Sequence, residues 1–174
     1  MTSGIIVARR DLPVIELAPM VARLDQTVEE MIAGMPNSNP DITSAHFPTA
    51  AAAGRARSLE CRSGKTGQEE VRLCLAKPIH DRHHLPTDDV LQRLDGAGFV
   101  PADLRQLCLL KDHADELWAA GVCYVIALGP DSIWQKPDGG YAVYFIFNPE
   151  DRGFHLHWLG GDLGGQLWFL VRRK

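Results

Sequence analysis

The segment Val122–Leu128 constrains the fold more than any other part of the chain. Its residues, VCYVIAL, form an unbroken apolar run that follows Gly121. A run of this length, rich in β-branched and aromatic residues, is typical of a strand that is covered on both faces. The sequence therefore predicts that this segment is the central strand of a sheet.

Further strands are predicted on both sides of that run. The turn residues Pro137–Gly140 precede Tyr141–Phe147, and Phe154–Leu159 and Gln166–Val171 are likewise bounded by Gly, Pro, Asn or Asp. Hairpin-like spacing of this kind favours an antiparallel sheet. Upstream, Val71–Ala76 alternates large apolar residues with others in the period of two that is typical of a strand.

Helices are predicted from their start signals. Thr27 and Glu30 have the spacing of a capping box at the beginning of a short helix. Thr87 is suited to cap a second helix, Pro101 to open a third, and Ala114–Ala120 to form a short fourth. The predicted fold class is α+β, a mostly antiparallel sheet with two or three helices in its main domain.

Length and composition indicate one globular core. The chain has 174 residues, of which 45% are hydrophobic and 23% are charged. Scattered prolines and a polar, Gly-containing stretch mark residues 1–67 as an N-terminal arm with short helices and a loop at Ser63–Gly67, while residues 68–174 form the α+β domain. No apolar run reaches bilayer length, and the N-terminus lacks the order of a secretory signal, so we expect a cytoplasmic protein.

The charge balance argues against nucleic acid as a partner. The net charge is -4 and the pI is about 5.9, whereas nucleic-acid binding depends on clustered Lys and Arg. The basic residues between Arg55 and Lys65 and the closing Arg172–Lys174 are interpreted as a solvated loop and tail. The four cysteines form no C-x-x-C pair and are expected to be reduced thiols. The expected partner is an unknown protein or a small ligand. Association with a membrane is not expected.

The histidines suggest one metal hypothesis. Three of them crowd one stretch and two alternate along a predicted strand: His80, His83 and His84, then His155 and His157. If the stretch folded over that strand face, three imidazoles with Asp81 or Asp162 could form a zinc-type site and support a zinc-dependent enzyme. The alternative is that the two strand histidines face solvent while Phe154, Leu156 and Trp158 face the core. The expectation is no cofactor, with zinc as the alternative.

Other catalytic motifs are missing from the sequence. Gly64-Lys65-Thr66 ends like a phosphate-binding loop, but Leu59 occupies the position of the required first glycine. A G-x-S-x-G elbow is also absent. The sequence therefore assigns no catalytic residue and favours a protein that is not an enzyme.

Aromatic residues predict a ligand-binding surface in the C-terminal part. Trp158 and Trp168 lie within apolar strands and are interpreted as core residues, whereas Trp134 lies in a turn and suits a recognition surface. The predicted surface also includes the Gly160–Gly165 loop. Its ligand-binding residues are Trp134, Tyr141, Tyr144, His155, His157 and Asp162.

Several segments resemble a family of uncharacterised bacterial proteins, many of them from candidate phyla. Asn37–Pro48, NSNPDITSAHFP, is similar to the family segment NSDIT-x-x-HFP. Five later segments resemble the same family in order, so that the resemblance covers residues 25–174: Thr87–Leu91, Gly98–Leu104, Ala127–Gly129, Leu156–Leu159 and Phe169–Arg172.

This resemblance implies a C-type-lectin-like fold for the C-terminal half. Some members also resemble variable proteins of diversity-generating retroelements, although Pro130–Gln166 here is not rich in Asn and Tyr, and Gln106 replaces the family's acidic residue. The resulting expectation is a non-enzymatic ligand- or protein-binding module. The zinc-dependent enzyme and a structural subunit of a phage-like or mobile-element assembly are the alternatives.

Overall fold

The computed structural model describes residues 12–23, 25–47 and 68–174. The predicted Ser63–Gly67 loop, the basic residues from Arg55 to Lys65, and Cys61 lie outside these ranges. The described strands are β1 (Val14–Glu16), β2 (Met20–Arg23), β3 (Gln68–Val71), β4 (Cys74–Ala76), β5 (His84–Leu85), β6 (Phe99–Pro101), β7 (Tyr124–Ile126), β8 (Ile133–Lys136), β9 (Gly139–Ile146), β10 (Gly153–Trp158), β11 (Leu163–Gly164) and β12 (Leu167–Arg173). The described α-helices are α1 (Val28–Ile32), α2 (Thr87–Gly96), α3 (Leu104–Cys108) and α4 (Ala114–Ala119), with 3₁₀ turns at Leu109–His113 and Pro130–Ser132.

Eight of these strands form one sheet. Its order is β1-β4-β12-β7-β9-β10, with β6 beside β12 and β8 beside β9. The pairing of β7 with β12 is parallel, and the other strand pairs of the described sheet are antiparallel. The predicted α+β class with a mostly antiparallel sheet is therefore confirmed.

Strands β7 and β12 occupy the middle of the sheet. Val125 and Ile126 of β7 are fully buried between β12 and β9, which confirms the predicted interior strand. Strand β12 contacts β4 along one edge and β7 followed by β6 along the other. A single strand thus joins three others, because its two halves pair with different neighbours.

Apolar side chains cover the sheet on both faces. The first face, which carries Val143 and Phe145, packs on α1, α3, α4 and the segment 42–47. The second face, which carries Ala142 and Phe169, packs on α2. Successive residues of a strand point to opposite faces, so β9 and β12 supply side chains to both layers.

The N-terminal segment contributes to this structure directly. Strand β1 is an edge strand of the large sheet through its pairing with β4, and β2 pairs with β3 in a separate two-stranded sheet. Ile42 and Phe47 are almost fully buried in the core under the first face. Residues 12–47 therefore supply both strands and core side chains.

The predicted capping box of α1 is confirmed, but two other helix starts are wrong. Glu30 and Thr27 exchange the expected hydrogen bonds, at 2.8 and 3.2 Å. Pro101 ends β6 instead of opening a helix, because β6 pairs with β12, and α3 begins after Asp103. Thr87 does not cap α2, and its hydroxyl instead donates to the carbonyl oxygen of Leu159.

The strand predicted over Val71–Ala76 is two strands in the structure. β3 ends at Val71 and β4 begins at Cys74, and the two pair with different partners. Cys74 and Ala76 are buried beneath the second face, although the alternation predicted one buried side only. The reason is that β4 lies inside a sheet with packed layers on both faces.

None of the helices in the described segments is both long and apolar enough to cross a lipid bilayer.

Candidate functional site

The residues predicted to bind a ligand lie in two groups on opposite faces of the sheet. Trp134 and Tyr141 are cross-strand partners on the first face, whereas Tyr144 is on the second with the strand histidines. Tyr141 and Tyr144 are three residues apart in one strand, and an odd spacing puts them on opposite faces. Asp162 is exposed in the turn between β10 and β11. The predicted single surface is therefore two separate surfaces.

The group on the second face consists of Tyr124, Tyr144, His155 and His157. It is called the tyrosine–histidine patch. Tyr144 is paired with His155 in register, and their ring centroids are 5.7 Å apart. The edge of the His157 ring approaches Tyr144 at 6.2 Å, and Tyr124 is 6.4 Å from Tyr144. All four side chains are half-buried, so each keeps one part accessible to a ligand.

The electrostatics of the tyrosine–histidine patch favour uncharged side chains. Burial lowers the pKa of His157, because the charged imidazolium is poorly solvated there. Burial also raises the pKa of Tyr144, and nearby Tyr124 raises it further. At neutral pH both shifts favour the neutral forms of His157 and Tyr144, which keep their hydrogen-bonding groups.

One nitrogen in the patch has unused hydrogen-bonding capacity. Nε2 of His155 is buried and has no hydrogen-bond partner among the described residues. A buried polar atom without a partner costs about 1–3 kcal/mol. Because Nε2 has almost no accessible surface, a ligand removes this cost only when the imidazole of His155 turns outward. The patch is for this reason the candidate functional site.

The lowered pKa of His157 predicts a pH-dependent stability. An unfolded histidine binds a proton near its ordinary pKa of about 6.5, but the folded chain resists protonation of His157 down to a lower pH. The contribution to stability is therefore complete above the unfolded pKa and is lost as the pH falls toward the folded pKa. We expect His157→Gln to lose less unfolding free energy than the wild type when the pH falls from about 7.5 to about 5.5.

Urea denaturation at the two pH values measures this difference. The matched control is His84→Gln, the same substitution at an exposed histidine outside the patch. Equal losses in the wild type and His157→Gln would contradict the prediction.

The second group is here called the tryptophan cluster, made of His46, Trp134, Lys136, Asp138 and Tyr141. The ring of His46 stacks on Trp134 at 4.1 Å. Nζ of Lys136 lies 4.0 Å from the centre of the Trp134 ring and 4.8 Å from that of Tyr141. The Tyr141 hydroxyl donates to Asp138 at 2.8 Å, and this bond raises the pKa of Tyr141. Two side chains of the protein itself, His46 and Lys136, thus cover the ring of Trp134.

Trp158 corrects the prediction that it is a core residue. Its side chain is 49% exposed, and its indole nitrogen donates to the carbonyl oxygen of Asp138 at 3.2 Å. The ring lies against Gly139 and Gly160, where an added Cβ would come within 2.9 and 2.2 Å of it. Glycine at these two positions leaves room for the indole ring. Trp168, in contrast, packs at the edge of the core.

The loop histidines occupy a different place from the strand histidines. His80, His83 and His84 are exposed, and His84 belongs to β5, which pairs with β11. The His80 and His83 rings are 6.2 Å apart, while Asp81 forms an ion pair with Lys77. No three His, Cys, Asp or Glu side chains in the described residues are grouped to hold a metal ion. The zinc site stays a prediction.

Four members of these groups were not predicted as site residues from the sequence: Tyr124, His46, Lys136 and Asp138. Two of them, Tyr124 and His46, show why. Tyr124 lies inside the continuous apolar run, where no alternation marks which residues face outward. His46 and Trp134 are 88 positions apart in sequence, and only the tertiary fold brings their rings together. Neither contact has a local sequence signal.

The arrangement defines an α+β protein with a layered, mostly antiparallel sheet and an aromatic patch on it. In comparisons with known protein families, curated proteins and solved structures, the chain matches none.

Proposed function

We propose that the protein is a non-enzymatic binding module that uses the tyrosine–histidine patch to bind a neutral, hydrogen-bonding ligand. The observation that carries this proposal is the buried Nε2 of His155, which lacks a partner among the described residues and lies beside the half-exposed ring of Tyr144. An imidazole in this position can accept or donate one hydrogen bond, and the tyrosine ring offers an apolar surface next to it.

The ligand class follows from the charges. Burial disfavours the charged form of His157 and keeps Tyr144 a neutral phenol, so these two side chains are suited to neutral hydrogen-bonding groups. Hydroxyl or amide groups of a small molecule or an extended peptide satisfy such a site better than a carboxylate. On the basis of its sequence resemblance, we also propose that the C-terminal half is a C-type-lectin-like domain.

Histidine-detected NMR tests the proposal. Protein carrying ¹³C-labelled imidazoles is titrated with a panel of methyl glycosides and blocked dipeptides. We expect at least one class to shift the His155 and His157 resonances in a saturable manner and to leave His84 unchanged. Tyr144→Ala is expected to abolish these shifts, because it removes the apolar surface between the two imidazoles.

Trp118→Ala is the matched control, since Trp118 is an exposed aromatic residue on α4, the helix that packs under the other face. This variant is expected to keep the binding of the wild type. If no probe shifts the two imidazoles, or if Tyr144→Ala binds as the wild type does, the proposed function is wrong.

A further inference from the structure

A cavity of about 250 Å³ lies between α4 and the chain that links β1 to β2. Most of the side chains around it are apolar: Ile15, Leu17, Ala18, Met20, Leu117 and Ala120. The cavity belongs to the first face of the sheet, whereas the tyrosine–histidine patch belongs to the second. The two are therefore separate places on the protein.

Both walls of the cavity belong to defined parts of the fold. Ile15 and Leu17 are two positions apart in extended chain, so they point to the same side, and the amide of Leu17 donates to the carbonyl oxygen of Leu73 at 3.1 Å. The opposite wall is a stripe of residues with the i, i+3, i+4, i+7 spacing of one helix face: His113, Glu116, Leu117 and Ala120. The shape of the cavity is thus formed before a ligand arrives, which lowers the cost of binding.

The cavity has a buried apolar floor and an exposed rim. Ile15 and Met20 are each 6% exposed and Leu117 is 5% exposed, whereas Ala18 and Ala120 are exposed. Water makes few hydrogen bonds against such a floor, so an apolar group displaces it favourably. An apolar cavity of about 150 Å³ is large enough to take up benzene. A single aromatic ring therefore suits the space between α4 and the β1–β2 link.

The charge at the rim selects the polar end of a ligand. The described lining contains one carboxylate, that of Glu116, and neither lysine nor arginine. Oε2 of Glu116 lies 3.6 Å from Nδ1 of His113, which is longer than a hydrogen bond, and the Glu116 side chain is 79% exposed. Its carboxylate is therefore available to a hydrogen-bond donor of a ligand. An ammonium group is attracted to it, whereas a second carboxylate is repelled.

We propose that this cavity binds a small primary amine whose apolar body has about the size of one aromatic ring. The apolar body contacts Met20 and Leu117 on the floor, and the ammonium group contacts the carboxylate of Glu116 at the rim. This inference does not depend on the proposed function of the tyrosine–histidine patch.

Methionine-methyl NMR with defined probes tests the proposal. The ¹³C-methyl group of Met20 reports on the cavity, and that of Met31, which is buried elsewhere and not part of the lining, is the internal control. We expect benzylamine to shift the Met20 signal in a saturable manner and to leave Met31 unchanged. Benzyl alcohol, its neutral analogue, is expected to bind about threefold more weakly in low-salt buffer, because the attraction of an exposed carboxylate is modest. Methylammonium, which lacks the ring, is expected to bind at least about tenfold more weakly than benzylamine.

Two pairs of variants separate the apolar floor from the charged rim. Ala120→Phe fills the mouth of the cavity and is expected to abolish the binding of both aromatic probes, whereas Ala119→Phe, at the neighbouring exposed position outside the lining, keeps it. Glu116→Gln is expected to remove the preference for benzylamine over benzyl alcohol, whereas Glu150→Gln, at an exposed position on another loop, retains the preference.

The comparison of the three probes on the wild type stands even if a variant does not fold. The proposal is overturned if benzylamine does not shift Met20, if benzyl alcohol binds as tightly as benzylamine, or if methylammonium matches benzylamine. It is also overturned if a folded Ala120→Phe binds benzylamine like the wild type, or if Glu116→Gln keeps the full preference for the amine.

Discussion

Phe145→Ala is expected to lower the free energy of unfolding by about 3–5 kcal/mol. Phe145 is fully buried under the first face, and its ring contacts those of Phe147 at 4.6 Å and Phe154 at 4.5 Å between centroids. Alanine removes the apolar contacts and leaves a cavity that β9 and β10 cannot close without moving the sheet.

Urea denaturation measures this loss. Phe145→Leu, which keeps much of the apolar volume, is expected to cost clearly less than Phe145→Ala. Val21→Ala, at a position that is 53% exposed, serves as a control and is expected to change stability by no more than about 0.5 kcal/mol. A cost below about 1 kcal/mol for Phe145→Ala would contradict the packing of the first face.

Arg105→Met is expected to cost about 2–4 kcal/mol. The guanidinium joins α3 to the turn between β2 and α1 through the carbonyl oxygens of Arg23 and Gln26. Methionine fills part of the volume but donates no hydrogen bond, so both carbonyls lose their partner in a poorly hydrated place. Chemical denaturation monitored by tryptophan fluorescence gives the magnitude.

The matched control is Arg82→Met. Arg82 is exposed in the loop before β5, and its replacement is expected to change stability by at most about 0.5 kcal/mol. If Arg105→Met is as stable as Arg82→Met, the guanidinium does not hold the β2–α1 turn.

The strands of the sheet were largely predictable because their signals are local. The apolar run at Val122–Leu128 contains β7, and Gln166–Val171 overlaps β12. Apolar runs of strand length bounded by turn residues depend little on the rest of the fold. The capping box at Thr27 was predictable for the same reason, since both of its hydrogen bonds join residues three positions apart.

Other features depend on contacts between distant parts of the chain. By local preference, Pro101 is a suitable first residue of a helix. In the fold, residues 99–101 form a strand instead, because they pair with the free edge of β12. The split of Val71–Ala76 has a similar cause, because β3 and β4 follow different partners. Pairing over such sequence distances is decided by tertiary structure and not by local preference.

The candidate site was predicted in part. Tyr144, His155 and His157 were expected to share a surface, and the register of β9 and β10 places their rings together. Trp134 and Tyr141 were assigned to the same surface as Tyr144, although the alternation along β9 places Tyr141 and Tyr144 on opposite faces. The hydrogen bond from Arg105 to the carbonyl oxygen of Arg23 was not predicted, since only the packing of β2 against α3 brings these two residues together.

The central position of β12 also affects how the chain folds during synthesis. Strands β4, β6 and β7 all pair with β12, but β12 follows every one of them in sequence. A nascent chain that emerges from the ribosome therefore presents three strands with an unoccupied edge until residues 167–173 leave the exit tunnel. Such edges are templates for wrong pairing. The edges of β4, β6 and β7 therefore stay open to wrong pairing until β12 is available.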